Sequence, residues 1–151
     1  EKELGIKAFS LPYQIEYGGA FLKDSAHLAG LGVIGKNNLL VTPKFGTRVR
    51  LRGIFIEAEL EPTGPIDFDP CNACDMPCHR ACPQRAFRSG VFERAFCKIE
   101  NDKSEAKAEM LEGSIMGIDE PSEVTKPCRN CEFACPVAQG ASRGALVNNA
   151  G

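Results

Sequence analysis

Eight cysteines crowd between positions 71 and 135 of a 151-residue chain, and none occurs in the first 70 residues. They fall in two blocks. The first, CNACDMPCHRACP, runs Cys71-x2-Cys74-x3-Cys78-x3-Cys82 and ends on Pro83. The second, CRNCEFACP, runs Cys128-x2-Cys131-x3-Cys135 and ends on Pro136. Both close on Cys-x3-Cys-Pro, so they form a degenerate internal repeat, with Cys97 alone between them. Thiolates at such short, fixed offsets are the ligands of soft metals. Structural zinc sites use Cys-x2-Cys pairs, but they have no need of a doubled x3-Cys-Pro. A disulfide framework suits a small secreted domain, and the chain opens on no positively charged, apolar leader.

The blocks closely resemble the run found in bacterial two-cluster ferredoxins, whose last cysteine before proline ligates the other cluster. Three thiolates from one turn grip three corners of a cubane, and the chain carries the fourth away. By that crossover, Cys71, Cys74 and Cys78 hold one cluster with Cys135 reaching back to them. Cys82, Cys128 and Cys131 then serve the second cluster and are one ligand short. Cys97 is the sole cysteine left. Eight cysteines thus fill two [4Fe-4S] sites with no remainder.

The elements that must position these thiols read as α+β. Ile6, Ala8 and Ser10 alternate with Lys7 and Phe9 in a short strand stopped at Pro12. Phe21, Leu22, Leu28 and Leu31 have near-helical spacing across 20–31. LLVT (39–42) and RVRLRGIFIEAEL (48–60) flank PKFG, the composition of a hairpin loop. In the second of these strands the apolar parity flips at Gly53, which predicts a bulge there. Residues 1–60 therefore form a partial α/β layer. EPTGPIDFDP, with three prolines and a glycine, is the linker 61–70. Residues 71–140 are the iron–sulfur module and 141–151 a loosely held tail. Between Cys97 and Cys128, Asp102 with Glu105 predicts a capped short helix running to Leu111. Charge is nearly balanced, with 18 basic and 20 acidic side chains, so a general polyanion-binding role has no support. No run approaches the ~18 apolar residues of a membrane helix. Beginning at Glu1 on an interior-looking strand, the chain is expected to be a piece of a longer protein.

The combination of HLAGLGVIGKNNLLVTPKFG (27–46), a hairpin and a cysteine array with an isolated Cys97 resembles the family of epoxyqueuosine reductase and its relatives, which include reductive dehalogenases. The resemblance covers roughly Tyr13 to Pro136. It implies a nitroreductase-like layer against which a cobalamin sits, and a ferredoxin-like module whose two [4Fe-4S] clusters deliver electrons to the cobalt. It implies the same assignment of cysteines. It also puts Gly35 and Lys36 near the corrinoid and Glu16 where the reductase carries an acid, an Asp, proposed to protonate the opened epoxide. Two positions depart from the family pattern: Glu replaces Asp at 16, and x3 replaces x2 between Cys74 and Cys78.

Other features have plainer readings. Gly30, Gly32 and Gly35 spell G-x-G-x-x-G, but a dinucleotide fingerprint needs a strand just before it, where a helix is predicted. Arg48, Arg50 and Arg52 share one strand face. A solvated face is the favoured reading, ahead of contacts to tRNA phosphates or a corrinoid tail. His27 and His79 read as surface residues. The expectation is the redox part of a corrinoid-dependent reductase, with cobalamin held in the full-length protein. The alternative is a non-catalytic ferredoxin-like carrier serving a separate enzyme. A flavodoxin or ferredoxin is the expected electron donor, tRNA is a candidate partner, and the cytoplasm is the expected location.

Overall fold

A computed structural model describes residues 5–12, 15–111 and 121–139 of the chain. Short helices alternate with three two-stranded antiparallel sheets. In the first sheet β1 (Ala8–Ser10) pairs with β4 (Ile54–Ile56), with Phe9 opposite Phe55. Backbone bonds from Leu11 N to Gly53 O and from Glu57 N to Lys7 O extend this ladder at both ends. The second sheet is a tight hairpin of β2 (Val33–Ile34) and β3 (Leu40–Val41). Its turn is closed by Gly35 N to Leu39 O and Asn38 N to Gly35 O, both 2.9 Å. Asn38 takes the left-handed φ of 60° that this turn needs, a conformation Asn tolerates better than most residues.

The predicted hairpin of 39–42 with 48–60 does not form. β3 pairs back onto β2, and PKFG closes only a bridge between Thr42 and Gly46. The chain then leaves for β1, more than forty residues earlier in sequence, and only 54–56 of the second segment is strand. Gly53 is accordingly no hairpin bulge. A Cβ there would lie 3.0 Å from Leu11 Cδ1 and 3.3 Å from Leu22 Cδ2, so the parity flip marks where the chain squeezes past α1 (Leu22–Leu28).

α1 does precede the G-x-G-x-x-G stretch, in place of the strand a dinucleotide fold requires. The glycines serve close packing instead. A Cβ on Gly30, which has φ 73°, would fall 2.4 Å from the carbonyl of Gly64. Thr63 donates to Ala29 O at 2.6 Å, so segment 61–70 is laid over the end of α1.

The two cysteine blocks each contribute a four-residue helix, α2 (Pro77–Arg80) and later α4 (Asn130–Phe133), which pack on each other. Between them α3 spans Arg94–Glu105 and carries Cys97 in its first turn. The predicted helix from Asp102 to Leu111 is displaced: Asp102 lies inside α3, paired with Lys98 at 2.5 Å, and Glu105 ends it. Residues Glu109–Leu111 form β5, paired with β6 (Ser122–Val124) in the third sheet. The i,i+4 pair and the apolar Ala95, Phe96 and Ile99 favour the earlier register, while the strand partner claims the later residues. The tail 141–151 lies outside the described residues. Among the described residues the buried apolar ones are few: Leu40 and Val41 of the hairpin, Ala26 of α1, then Cys78, Ala86, Phe87 and Cys135 of the cysteine region. The core therefore sits where the β2–β3 hairpin meets the cysteine blocks.

Candidate metal centres

α2 and α4 present the repeat in three dimensions. Each helix begins one residue before a cysteine, Cys78 or Cys131. Ala81 N bonds to Pro77 O at 2.9 Å in the first block, as Ala134 N does to Asn130 O at 3.0 Å in the second. Cys82 N to His79 O and Cys135 N to Glu132 O repeat the next contact, at 3.3 and 3.4 Å. Cys78 thus corresponds to Cys131, and Cys82 to Cys135.

All eight cysteines are free thiols. Cys82, Cys97, Cys128 and Cys131 line one cavity, walled by Pro83, Ala86, Phe87 and Phe92. Burial pushes the Cys131 thiol up to about 11, helped by the negative charge of Cys128, Cys97, Cys82 and Cys78. Burial and then Cys82 and Cys128 raise Cys97 in the same way. Cys78 is raised chiefly by burial, against a backbone hydrogen bond at His79, and by the charges of Cys135, Cys71 and Cys74. Cys78 thus feels Cys135, Cys71 and Cys74, whereas Cys131 feels Cys128, Cys97 and Cys82 ahead of Cys78. Thiolates forced together and away from water repel one another, and cations relieve that repulsion. Among the described residues no three His, Cys, Asp or Glu side chains close to the spacing of a single-ion site. The backbone N of Ala86 donates to Cys82 Sγ at 3.3 Å, and Asn101 Nδ2 lies 3.9 Å from Cys97 Sγ. Both are donors of the kind that stabilise charge on cluster sulfurs.

The N-terminal layer closes against this region. Gly35, in the β2–β3 turn, approaches the first group so closely that a Cβ would stand 3.4 Å from Cys71 Sγ. The carbonyl of Lys36 accepts a hydrogen bond from His79 Nε2 at 3.0 Å, and the His79 ring stacks on Phe87 with centroids 4.4 Å apart. His79 is therefore a fastening between the layers. His27 likewise donates from Nδ1 to Gly32 O at 3.0 Å. Neither histidine is a plain surface residue.

The three arginines do not share a strand face, since 48–53 is not strand. Arg48 Nη2 reaches Ala138 O at 2.5 Å, Arg50 Nη1 reaches Glu132 Oε1 at 3.3 Å, and Arg52 bonds Leu51 O at 2.9 Å. Two of the three thus grip the second cysteine block. Glu132 was not singled out from the sequence. It is 6% exposed and accepts from Arg129 Nε at 2.8 Å and from Arg129 Nη2. Its signals were there to read: it follows Cys131 as His79 follows Cys78, with an arginine three residues before it. A cleft of about 540 Å³, lined by Ile15, Phe21, Lys23, Arg50, Leu51 and Glu132 among others, opens beside this contact. Glu16 lies exposed in a single 3-10 turn, Ile15–Tyr17, next to the residue that lines the cleft.

No family model matches the chain. It is 30% identical over 114 residues to the tetrachloroethene reductive dehalogenase of Sulfurospirillum multivorans, covering 74% of this chain and 22% of that protein. It is 33% identical over 129 residues to the epoxyqueuosine reductase of Gloeobacter violaceus, covering 80% of this chain and 37% of that one. This chain is a homologue of the epoxyqueuosine reductases and reductive dehalogenases. A solved epoxyqueuosine reductase with an epoxyqueuosine-modified tRNA stem loop shares its fold, with a TM-score of 0.63, 23% identity, and coverage of 92% of this chain and 35% of that one. The chain thus spans between about a fifth and two-fifths of the length of these relatives. Among the described residues no helix is long and apolar enough to cross a membrane.

Proposed function

We propose that this chain binds two [4Fe-4S] clusters and conducts electrons through them as the redox part of a corrinoid-dependent reductase. The observation that supports the reading is the shared cavity of Cys82 with Cys97, Cys128 and Cys131, beside a Cys78 that feels Cys135, Cys71 and Cys74. The donor set fits: all-thiolate tetrads, apolar walls and backbone N–H donors are what such clusters require. Cys71, Cys74, Cys78 and Cys135 would hold the first cluster and Cys82, Cys97, Cys128 and Cys131 the second. When bound, the clusters supply one-electron transfers, and the corrinoid of the family would receive them. The chain's own residues fix the thiols, exclude water from the second site through Phe87 and Phe92, and couple both sites to the N-terminal layer through Gly35, Lys36 and Arg50.

The layer 1–60 would then be the corrinoid-side, nitroreductase-like part, with Gly35 and Lys36 nearest the cofactor. Glu16, beside the cleft at Ile15, is the candidate acid. A general acid in this place would protonate the anion that develops as a substrate bond breaks, one methylene further from the backbone than an Asp would reach. The tRNA stem loop in the solved relative supports tRNA as a partner, and a flavodoxin or ferredoxin would supply the electrons.

The test is anaerobic reconstitution of the chain, followed by iron, labile sulfide and electron paramagnetic resonance analysis. About eight irons and eight sulfides per chain are expected. Stoichiometric zinc without labile sulfide would overturn the reading. Titration of the full-length protein with cob(II)alamin, and assay of Glu16→Gln beside wild type, tests the enzymatic half. Absence of corrinoid binding leaves the electron carrier, and full turnover by Glu16→Gln removes the acid.

A further inference from the structure

The second cysteine block carries a charged assembly that electron transfer alone does not explain. Glu132 directly follows Cys131, and its side chain is only 8% exposed. A lone buried carboxylate would take up a proton. Here two guanidiniums, those of Arg129 and Arg50, face it as ion-pair partners. Arg129 grips from its own turn with Nε at 2.8 Å and stacks over the Phe133 ring at 4.4 Å. Arg50 arrives from the other layer at 3.3 Å. The peptide units around the carboxylate are held as well: Thr47 Oγ1 donates to Glu132 O at 2.7 Å, and Asn37 Nδ2 to Cys131 O at 3.4 Å. Thr47 and Asn37 are each 4% exposed.

We infer that Glu132, clamped between Arg50 and Arg129, is a positioning residue that seats Cys131 and sets the reduction potential of the second cluster. The inference rests on the cluster reading above. One carboxylate and two guanidiniums leave the assembly, built on the residue that follows Cys131, with one net positive charge. Reduction adds a negative charge to the cluster, so each neighbouring charge biases the potential according to its sign. Removing the carboxylate leaves two positive charges and favours the reduced form. Removing Arg50 leaves a neutral pair and disfavours it. The Arg50 side chain is 63% exposed, so water screens its charge and its shift is the smaller.

The experiment is an anaerobic redox titration of the reconstituted chain, followed by electron paramagnetic resonance, for wild type, Glu132→Gln, Arg50→Gln and Arg50→Lys. Glu132→Gln is expected to shift the second cluster's potential upward and Arg50→Gln to shift it downward by less. Arg50→Lys is expected to restore the wild-type value, and the first cluster is expected to stay unmoved in all of them. Shifts of one sign, no shift, or equal loss of the second cluster's iron from Glu132→Gln and Arg50→Gln would overturn the inference. Wild type that takes up no labile sulfide would overturn the cluster reading itself, a separate result.

Discussion

Set side by side on Cys-x3-Cys-Pro, the two blocks share a backbone but not their attachments. In the first, the residue after the cysteine is His79, which reaches one carbonyl of the β2–β3 turn and leans on Phe87. In the second, the equivalent residue is Glu132, buried under two arginines with Thr47, Arg48 and Asn37 holding the peptides around it. The first attachment is aromatic and partly open to water. The second is ionic, multiple and buried. Equal thiol chemistry is therefore mounted on one soft and one rigid seat, and an internal repeat need not carry equal properties into its two halves. The second seat is tied to the layer by Arg50, Thr47 and Asn37, the first by the one bond of His79 to Lys36 O. The second block is thus the better fixed to the layer.

The largest effects test the exchange of cysteines between the blocks. Cys82→Ala and Cys131→Ala, in different blocks, are expected to deplete the same cluster, with loss of about four irons. Cys78→Ala and Cys135→Ala are expected to deplete the other. Cys97→Ala belongs with the first pair, and unchanged iron, sulfide and resonance signals in that variant would remove it from the second site. Resonance spectra of the remaining cluster distinguish the two outcomes. If each block instead loses its own cluster, the division into crossed tetrads is wrong.

Next comes Gly35→Val, which probes how the layer seats the first cluster. The added Cβ would meet Val41 Cγ2 at 2.7 Å and Cys71 Sγ at 3.4 Å. Val41 is 1% exposed and has no room to retreat. Overpacking of this kind costs about 1–3 kcal/mol, and the first cluster is expected to be lost before the second as denaturant rises. Iron release followed by the two resonance signals checks the order.

How far this was legible in the sequence differs by the range of the interaction. The internal repeat was legible because it depends on offsets of three and four residues, and the structure gives both blocks the same four-residue helix. The helix before the glycine stretch was legible because its apolar spacing spans two turns, and the structure keeps 22–28 of the predicted 20–31. Strand pairing was not. β2 and β3 have two residues each, too few to show a period, and a left-handed Asn38 decides their turn. Glu132 stayed hidden for a related reason: its partners Arg50 and Thr47 are more than eighty residues away, and a local Arg129 alone does not mark a carboxylate as buried.

A smaller effect is expected at Thr47. Its hydroxyl donates to Glu132 O at 2.7 Å with both residues buried, so Thr47→Val leaves that carbonyl without this donor inside a packed contact. The loss is about 1–2 kcal/mol, read as a lower denaturation midpoint with unchanged slope. Both clusters should still assemble. A midpoint equal to wild type would mean that the second seat is held by its arginines alone.

The smallest effect is expected at His79, on the softer seat, and two substitutions separate its parts. His79→Phe keeps a flat ring over Phe87, where the planes now lie 6° apart at 4.4 Å, and loses only the bond to Lys36 O. That bond is exposed to solvent, and water replaces the lost donor, so its removal costs a few tenths of a kcal/mol, at the low end of the range for hydrogen bonds. His79→Ala loses the ring as well, adding about 0.5–1.5 kcal/mol. The order wild type, Phe, Ala in stability is therefore expected. Hydrogen exchange at Asn38 N, which bonds Gly35 O at 2.9 Å in the turn that His79 steadies, supplies the local readout. It should quicken in both variants, because both release Lys36. If His79→Phe matches His79→Ala in stability, the ring contributes nothing and the hydrogen bond is the whole fastening. If neither variant quickens exchange in the turn, His79 does not couple the first cysteine block to the layer, and the two halves of the repeat differ more than their geometry indicates.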